Sequence, residues 1–173
     1  MPWNLDPTHS SVEFAVKHMV IASTKGRFTD YAVEADIDEA NLARSSATVR
    51  INVASIDTRD AKRDAHLRSG DFFDAENHPA ITFTSKRLEP KGASDYKLIG
   101  DLTIRGVTRE VALDGEVSGP VKDPWGGTRV GISATGKLNR EDFGLTWNAP
   151  LEFGGLLVGN DVKLNIETEL VRS

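Results

Sequence analysis

Histidine is the residue type in this chain best suited to metal binding or proton transfer, because imidazole is a common metal ligand that titrates near neutral pH. The four histidines are His9, His18, His66 and His78, and none shares the His-Glu-x-x-His spacing of a zinc site. His66 follows Asp64, but residues two apart do not share a helix face. We therefore predict hydrogen-bonded, structural histidines and no metal site.

Motifs for nucleophilic catalysis or nucleotide binding are also missing. Residues 131–136 superficially resemble a nucleophile elbow, but the spacing is wrong and Ser133 falls within a predicted strand. Gly154, Gly155 and Gly159 do not match a dinucleotide fingerprint, and no Walker-type lysine follows a glycine run. The sequence therefore predicts no catalytic residue and no cofactor.

One enzymatic alternative stays open. A small hydrolase-like enzyme acting on an amphiphile would use His18 or His66 as its general base. The argument for His66 rests on Asp64 and Asp71, which lie near it in the sequence.

Charge and composition exclude several classes of protein. The net charge is −5, and the basic residues are dispersed among acidic ones, so we expect no nucleic-acid partner. Cysteine is absent, which excludes disulfides and thiolate metal sites. No apolar run approaches the roughly 20 residues that span a bilayer. Because the given chain shows no signal peptide, we expect a cytoplasmic protein, or a periplasmic or secreted one if a signal was removed.

Alternation of apolar and polar residues is the main structural signal. Successive strand side chains point to opposite faces, so each alternating segment predicts a strand with one apolar face. About eight such strands must close on themselves or pack against a second sheet. We predict one all-β domain, residues 1–173, built as an antiparallel barrel. The alternating segments are 12–16, 33–37, 49–53, 81–83, 98–104, 111–117, 130–138 and 162–166.

Two stretches interrupt this alternation. Residues 57–69 carry helix formers followed by Gly70, which predicts one short helix with a glycine C-cap. Residues 139–160 are apolar, rich in glycine and not periodic, and Asn139 is placed to cap a turn. A long irregular loop of this kind is typical of a lid or mouth.

The predicted apolar face indicates a cavity. An eight-stranded barrel has an interior that side chains fill or that holds one small ligand. Several small residues share the inward phase with larger ones, and small inward residues leave volume for an apolar guest. These residues are Ala35, Gly100, Gly115, Ala134 and Gly136.

Several short motifs follow one another across nearly the whole chain. The most distinctive block holds the Asp-Ala-His-Leu-Arg-Ser run of residues 64–69 and the Asp-Phe-Phe-Asp run of residues 71–74. The other stretches are 3–10, Phe14, His18, Gly26, Phe28, 79–85, 100–108, Phe143 and Gly144. In this order, these motifs resemble the YceI-like, polyisoprenoid-binding family. The resemblance implies an extended, lipocalin-like barrel that binds a polyprenyl phosphate, an isoprenoid quinone or a similar amphiphile in an apolar tunnel. It also implies a homodimer.

We therefore predict a non-enzymatic protein that carries, stores or sequesters a lipid. The expected tunnel lining is Phe14, Val16, Phe28, Val49, Ile51, Phe83, Leu98, Leu102, Ile132 and Leu164. The expected mouth carries Trp147, Leu156, Leu157 and Val158. The candidates for meeting an anionic head group are Lys17, His18, Arg27 and Arg140, because Lys and Arg are the usual partners of phosphate. The remaining alternative is a filled barrel that binds a protein partner through an exposed apolar loop.

Overall fold

A computed structural model describes residues 3–19, 21–151 and 156–172 of the chain. These residues form one antiparallel sheet of eleven strands in the order β4-β5-β7-β8-β9-β10-β11-β2-β3-β6, with β1 paired to β11. The strands are β1 (Asn4–Leu5), β2 (Ser11–His18), β3 (Ala22–Phe28), β4 (Tyr31–Asp36), β5 (Ser46–Asn52), β6 (Ile56–Asp57), β7 (Ala80–Pro90), β8 (Asp95–Ile104), β9 (Val107–Lys122), β10 (Thr128–Asn139) and β11 (Val158–Arg172).

Each of the eight alternating segments falls on a strand, although Ile37 and Val53 lie just beyond the ends of β4 and β5. The predicted all-β antiparallel fold is confirmed. The predicted number of strands was too low, because β1 and β6 have only two residues each and β3 lacks alternation. In β3 the large inward residue is Phe28, while Gly26 takes the preceding inward position. A Cβ at Gly26 would overlap the ring of Phe14, so glycine is needed there and the hydrophobic pattern is lost.

The sheet curls around one interior, and its two edges meet near the turn between β3 and β4. At this seam the Asn52 amide donates to the Asp30 carbonyl at 3.0 Å, and the Thr29 amide donates to the Ser55 carbonyl at 3.3 Å. Side chains from both edges, Phe28 of β3 and Val33 of β4, face the same cavity. The architecture is therefore a barrel, as predicted.

The predicted helix is present but shorter than residues 57–69. Helix α1 spans Ala61–Arg68, and the Asp60 side chain accepts hydrogen bonds from the first turn as its N-cap. Arg59 has a positive φ of 65°, so helical backbone cannot extend back to Asp57. Ser69, in extended backbone, takes the C-cap position that we had expected Gly70 to provide.

The connection between β10 and β11 begins as predicted at Asn139, whose side chain accepts a hydrogen bond from the Glu141 amide at 3.0 Å. A 3-10 helix, Arg140–Phe143, follows and ends at Gly144 in left-handed backbone. The connection ends earlier than residue 160, because β11 starts at Val158. Gly154 and Gly155, part of the predicted loop, lie outside the described residues.

Two buried clusters occupy opposite ends of the interior. At the helix end, residues that follow α1 pack with residues that follow β10, including Phe72, Phe143 and Leu145. At the other end, Trp3 packs with Tyr96, Val117, Val130 and Leu170, and we call this the Trp3 end. Within the described ranges, no helix is both long and apolar enough to cross a membrane.

Candidate functional site

An apolar cavity of about 230 Å³ runs inside the barrel. Its wall consists mainly of the inward-facing side chains of the strands. Two sets of residues from connections complete it: Leu67, Phe72, Phe73, Phe143 and Leu145 at the helix end, and Ile37, Leu42 and Ser45 between β4 and β5. Almost all of these side chains are aliphatic or aromatic. The polar residues of the described wall are Ser45, Ser46, Arg140 and Thr168. Glu13 also borders the cavity, although it is exposed and occupies the outward phase of β2.

The cavity is long and narrow. On β11 alone, residues from Val158 to Leu170 line it, and at ~3.3 Å per residue this stretch is roughly 40 Å long. With the strand tilt usual in barrels, the length along the axis is about 30 Å. A narrow cavity of this length suits one extended apolar chain.

The structure brings most of the predicted lining residues together. Phe14, Val16, Phe28, Val49, Ile51, Phe83, Leu98, Leu102, Ile132 and Leu164 all lie on the cavity wall. They share the wall because each occupies the inward phase of its strand. Their role in binding a ligand stays a prediction.

Of the predicted mouth residues, Val158 lies on the cavity wall, whereas Leu156 is exposed just before β11. The other two also lie off the described wall. Trp147 packs edge-on against His66 at 4.6 Å between ring centroids, and its ring lies 5.4 Å from that of Phe72. Leu157 joins two segments through its backbone, accepting from the Met19 amide at 2.8 Å and donating to the Ala149 carbonyl at 2.9 Å. Both residues hold the helix end together and do not belong to the described wall.

Arg140 is the one predicted head-group residue on the cavity wall. Its side chain is buried, with 4% of the residue exposed, and burial lowers the pKa of its guanidinium. The guanidinium donates to the carbonyls of Gly159 at 2.9 Å, Leu145 at 2.5 Å, Trp147 at 3.0 Å and Val158 at 3.3 Å. Arg140 therefore fixes the start of β11 to the preceding connection and places a positive charge at the helix end.

The other predicted head-group residues do not reach the wall. Lys17 and Arg27 occupy the outward phase of β2 and β3, opposite to the inward Val16 and Phe28. Arg27 forms an ion pair with Asp57 at 3.4 Å. His18 ends β2 opposite Val158 and is half-buried.

His66 is held by packing and by one carboxylate. Its Nε2 atom lies 2.9 Å from Oδ2 of Asp71, and its ring contacts Phe72 as well as Trp147. Asp64 turns away from His66 and accepts hydrogen bonds from the amide and hydroxyl of Thr58. These contacts agree with a structural histidine that ties α1 to the helix end.

Near the Trp3 end, Asp6, His9 and Glu169 place atoms that could bind a metal ion within 4.8 Å of one another. The spacing of these residues in the sequence does not predict this cluster, because Glu169 is far from the other two. Arg129 donates to Asp6 at 2.9 Å and to Glu169 at 3.3 Å. Hydrogen bonds from Thr8, His9 and Arg129 hold the pKa of Asp6 well below its usual range, while Asp6 raises the pKa of His9. The group is therefore an ion-pair network that fastens the N-terminal segment to β10 and β11.

Sequence reasoning missed the described wall residues outside the strands other than Arg140, which are Ile37, Leu42, Ser45, Leu67, Phe72, Phe73, Phe143 and Leu145. Phe72 and Phe73 stand in a conspicuous Asp-Phe-Phe-Asp run, which indicates buried anchors but not the surface that they face.

Comparison with known proteins agrees with this architecture. A UPF0312 protein of Staphylococcus aureus (strain MSSA476) is 41% identical over 170 residues, covering 96% of this chain and 95% of the relative. The crystal structure of a Campylobacter jejuni YCEI protein is 37% identical, with a TM-score of 0.77 over 91% of this chain and 90% of that chain.

Two further crystal structures share the fold. BcnA of Burkholderia cenocepacia is 25% identical, with a TM-score of 0.83 over 98% of this chain and all of that chain. A polyisoprenoid binding domain from Saccharophagus degradans is 16% identical, with a TM-score of 0.72 over 97% of each chain. The YceI-like domain model matches residues 3–170, and this chain therefore belongs to the YceI-like domain family.

Proposed function

We propose that this chain binds one long isoprenoid lipid in the barrel cavity, to carry, store or sequester it, and that it catalyses no reaction. The observation that carries the proposal is the shape and lining of the cavity. It is about 30 Å long by strand geometry, and its wall, as far as the structure describes it, is almost entirely aliphatic and aromatic. Burying each CH₂ group of such a chain contributes about 0.8 kcal/mol before the costs of ordering.

The head group would lie at the helix end, near Arg140. A guanidinium has five N–H donors, and four are used in the hydrogen bonds to carbonyls described above. A phosphate or carbonyl oxygen of the lipid would accept from the remaining donor. The positive charge favours an anionic head, because charge-assisted hydrogen bonds are stronger than neutral ones.

The choice of isoprenoid over other long chains rests on the family and on one structural relative. The Saccharophagus degradans domain is a polyisoprenoid binding domain. Because its sequence identity to this chain is low, it suggests which lipids to test and does not identify the ligand of this chain. A polyprenyl phosphate and an isoprenoid quinone are therefore the two probes to test first.

Substituting a tryptophan at Ile132 tests the cavity directly. Ile132 lies on the wall in the middle of β10, opposite Val117 and Thr168. The indole of an Ile132→Trp variant would occupy the lumen, so we expect at least about tenfold weaker binding of a polyprenyl phosphate, with a loss of stability of about 1–3 kcal/mol at most from overpacking. Binding is measured by retention of radiolabelled lipid on the folded protein.

Thr135→Trp is the matched control, because Thr135 is exposed on the outward phase of the same strand. It adds the same side chain outside the lumen and should bind the lipid as the wild type does. Equal lipid binding by folded Ile132→Trp and wild type would contradict the proposal, as would failure of the wild type to bind either probe.

A further inference from the structure

The helix end of the barrel exposes two large aliphatic side chains. Ile21, in the turn after β2, is 81% exposed, and Leu156, just before β11, is 47% exposed. The two segments are joined, since the Met19 amide donates to the Leu157 carbonyl at 2.8 Å and His18 pairs with Val158. Exposed aliphatic groups on one projecting end are typical of interaction surfaces.

Lysines surround this end on the outer face of the sheet. Lys25, Ala15, Lys163 and Lys137 are register partners across β3, β2, β11 and β10, which places three lysines in one row. Lys17 lies two residues nearer the turn on the same face. All four lysines are exposed.

Few carboxylates offset these lysines. Lys137 forms an ion pair with Asp161 at 3.1 Å. Among the described residues, Lys17, Lys25 and Lys163 have no carboxylate within ion-pair distance, although Glu13 shares their face of β2. The surface is basic on a chain whose net charge is −5.

We propose that this end of the barrel docks onto an anionic membrane surface. Ile21 and Leu156 would insert among the lipid head groups, and the lysines would contact the anionic head groups at the membrane surface. Apolar side chains flanked by lysines are the combination that interfacial segments use, because aliphatic groups enter the acyl boundary while cations attract anionic lipids. The docking end is continuous with the cavity, since Val158 and Arg140 line its wall there. A lipid chain leaving the bilayer at this point would therefore lie next to the wall of the cavity.

The opposite end provides an internal comparison. Trp125, in the turn between β9 and β10, is also 81% exposed, but it stands beside Asp123 in a region that includes Asp6 and Glu169. Two cations lie nearby: Arg129 is already bonded to all three carboxylates, and Lys122 is exposed opposite Thr128. An anionic surface would be repelled there, so exposed apolar area alone does not predict docking.

Co-sedimentation of the full chain with vesicles tests the proposal. We expect binding to vesicles of two parts phosphatidylcholine and one part phosphatidylglycerol, weaker binding at high salt, and little binding to phosphatidylcholine alone. A triple variant, Lys17→Gln, Lys25→Gln and Lys163→Gln, should bind the anionic vesicles at least about tenfold more weakly. The double variant Ile21→Ser and Leu156→Ser should lose at least about fivefold.

Trp125→Ser is the matched control, because it removes a larger exposed apolar side chain from the other end, and it should change vesicle binding by less than about twofold. Ile132→Trp should dock as the wild type does, which separates docking from uptake into the cavity. Absence of wild-type binding, equal binding to neutral and anionic vesicles, or an equal loss in Trp125→Ser would each overturn the proposal. Circular dichroism spectra confirm that each variant is folded.

Discussion

At the scale of single residues, Gly100 and Gly136 make room for neighbouring side chains, whereas a Cβ at Gly115 would make only ordinary contacts at 3.6 Å. A Cβ at Gly136 would overlap Leu113, and a Cβ at Gly100 would lie 2.6 Å from Cζ of Phe83 and 2.5 Å from the Thr84 carbonyl oxygen. The space beside Gly100 and Gly136 is therefore already filled. The expectation that Gly100 and Gly136 leave free volume was wrong, while Ala134 does lie on the cavity wall.

This packing makes Gly100→Ala destabilising. The added methyl would meet the Thr84 backbone, which cannot rotate away, so we expect a loss of about 1–3 kcal/mol in the free energy of unfolding. Urea unfolding followed by circular dichroism measures it. Gly70→Ala is the control, because a Cβ at Gly70 has no neighbour within 4 Å, and alanine there should be neutral or stabilise by up to about 1 kcal/mol. Equal stability of the two variants would show that the site can relax around the methyl group.

At the scale of elements, periodicity predicted the strands that have one apolar face, and with them most of the cavity wall. A period of two determines which residues share a face, so Phe14, Val16 and Leu164 could be assigned to the interior without a structure. The same rule, applied consistently, would have placed Lys17 and Arg27 outside. It could not find β3, where a polar run with Gly26 hides the inward face, because that glycine is explained only by the Phe14 ring on the neighbouring strand.

The connections were less predictable than the strands, since their packing depends on contacts between distant segments. The start of α1 depends on Arg59, whose backbone is left-handed. The positions of Phe143 and Leu145 depend on the carbonyls that Arg140 binds, and neither the spacing nor the type of these residues indicates those bonds.

Arg140 joins the elements of the helix end, and its removal should loosen them together. In an Arg140→Leu variant, four carbonyls lose a charged donor in a buried region, so we expect a loss of about 3 kcal/mol in the free energy of unfolding. Arg140→Lys should recover part of it, because lysine keeps the charge but lacks the planar fork.

The control is Arg109→Leu. Arg109 is exposed and donates a single hydrogen bond, to the Asp142 carbonyl at 3.2 Å, so its loss should cost less than about 1 kcal/mol. Thermal unfolding of the three variants ranks them. If the Arg140→Leu variant were as stable as the Arg109→Leu variant, this prediction would be wrong, and water would have replaced the lost hydrogen-bond donor.

At the scale of the whole molecule, the curled sheet gives the cavity its length and the two packed ends limit it. One end is closed by Trp3 and its neighbours, and the other by the residues after α1 and β10. The buried Arg140 guanidinium and the basic outer surface both lie at the helix end, so the two ends of the barrel differ in charge. Under the proposed function, the lipid tail would lie toward Trp3 and the head group toward Arg140. The homodimer that the family resemblance implies remains a prediction, which light scattering can check.

Native mass spectrometry of the gently purified protein, followed by organic extraction of whatever is bound, tests the central claim most directly. The account predicts one lipid per chain that extracts as a polyprenyl or quinone isoprenoid, or, if the protein is isolated empty, one added polyprenyl phosphate bound per chain. A protein that is isolated empty and that binds no added isoprenoid would contradict the account and favour a filled barrel that serves a protein partner.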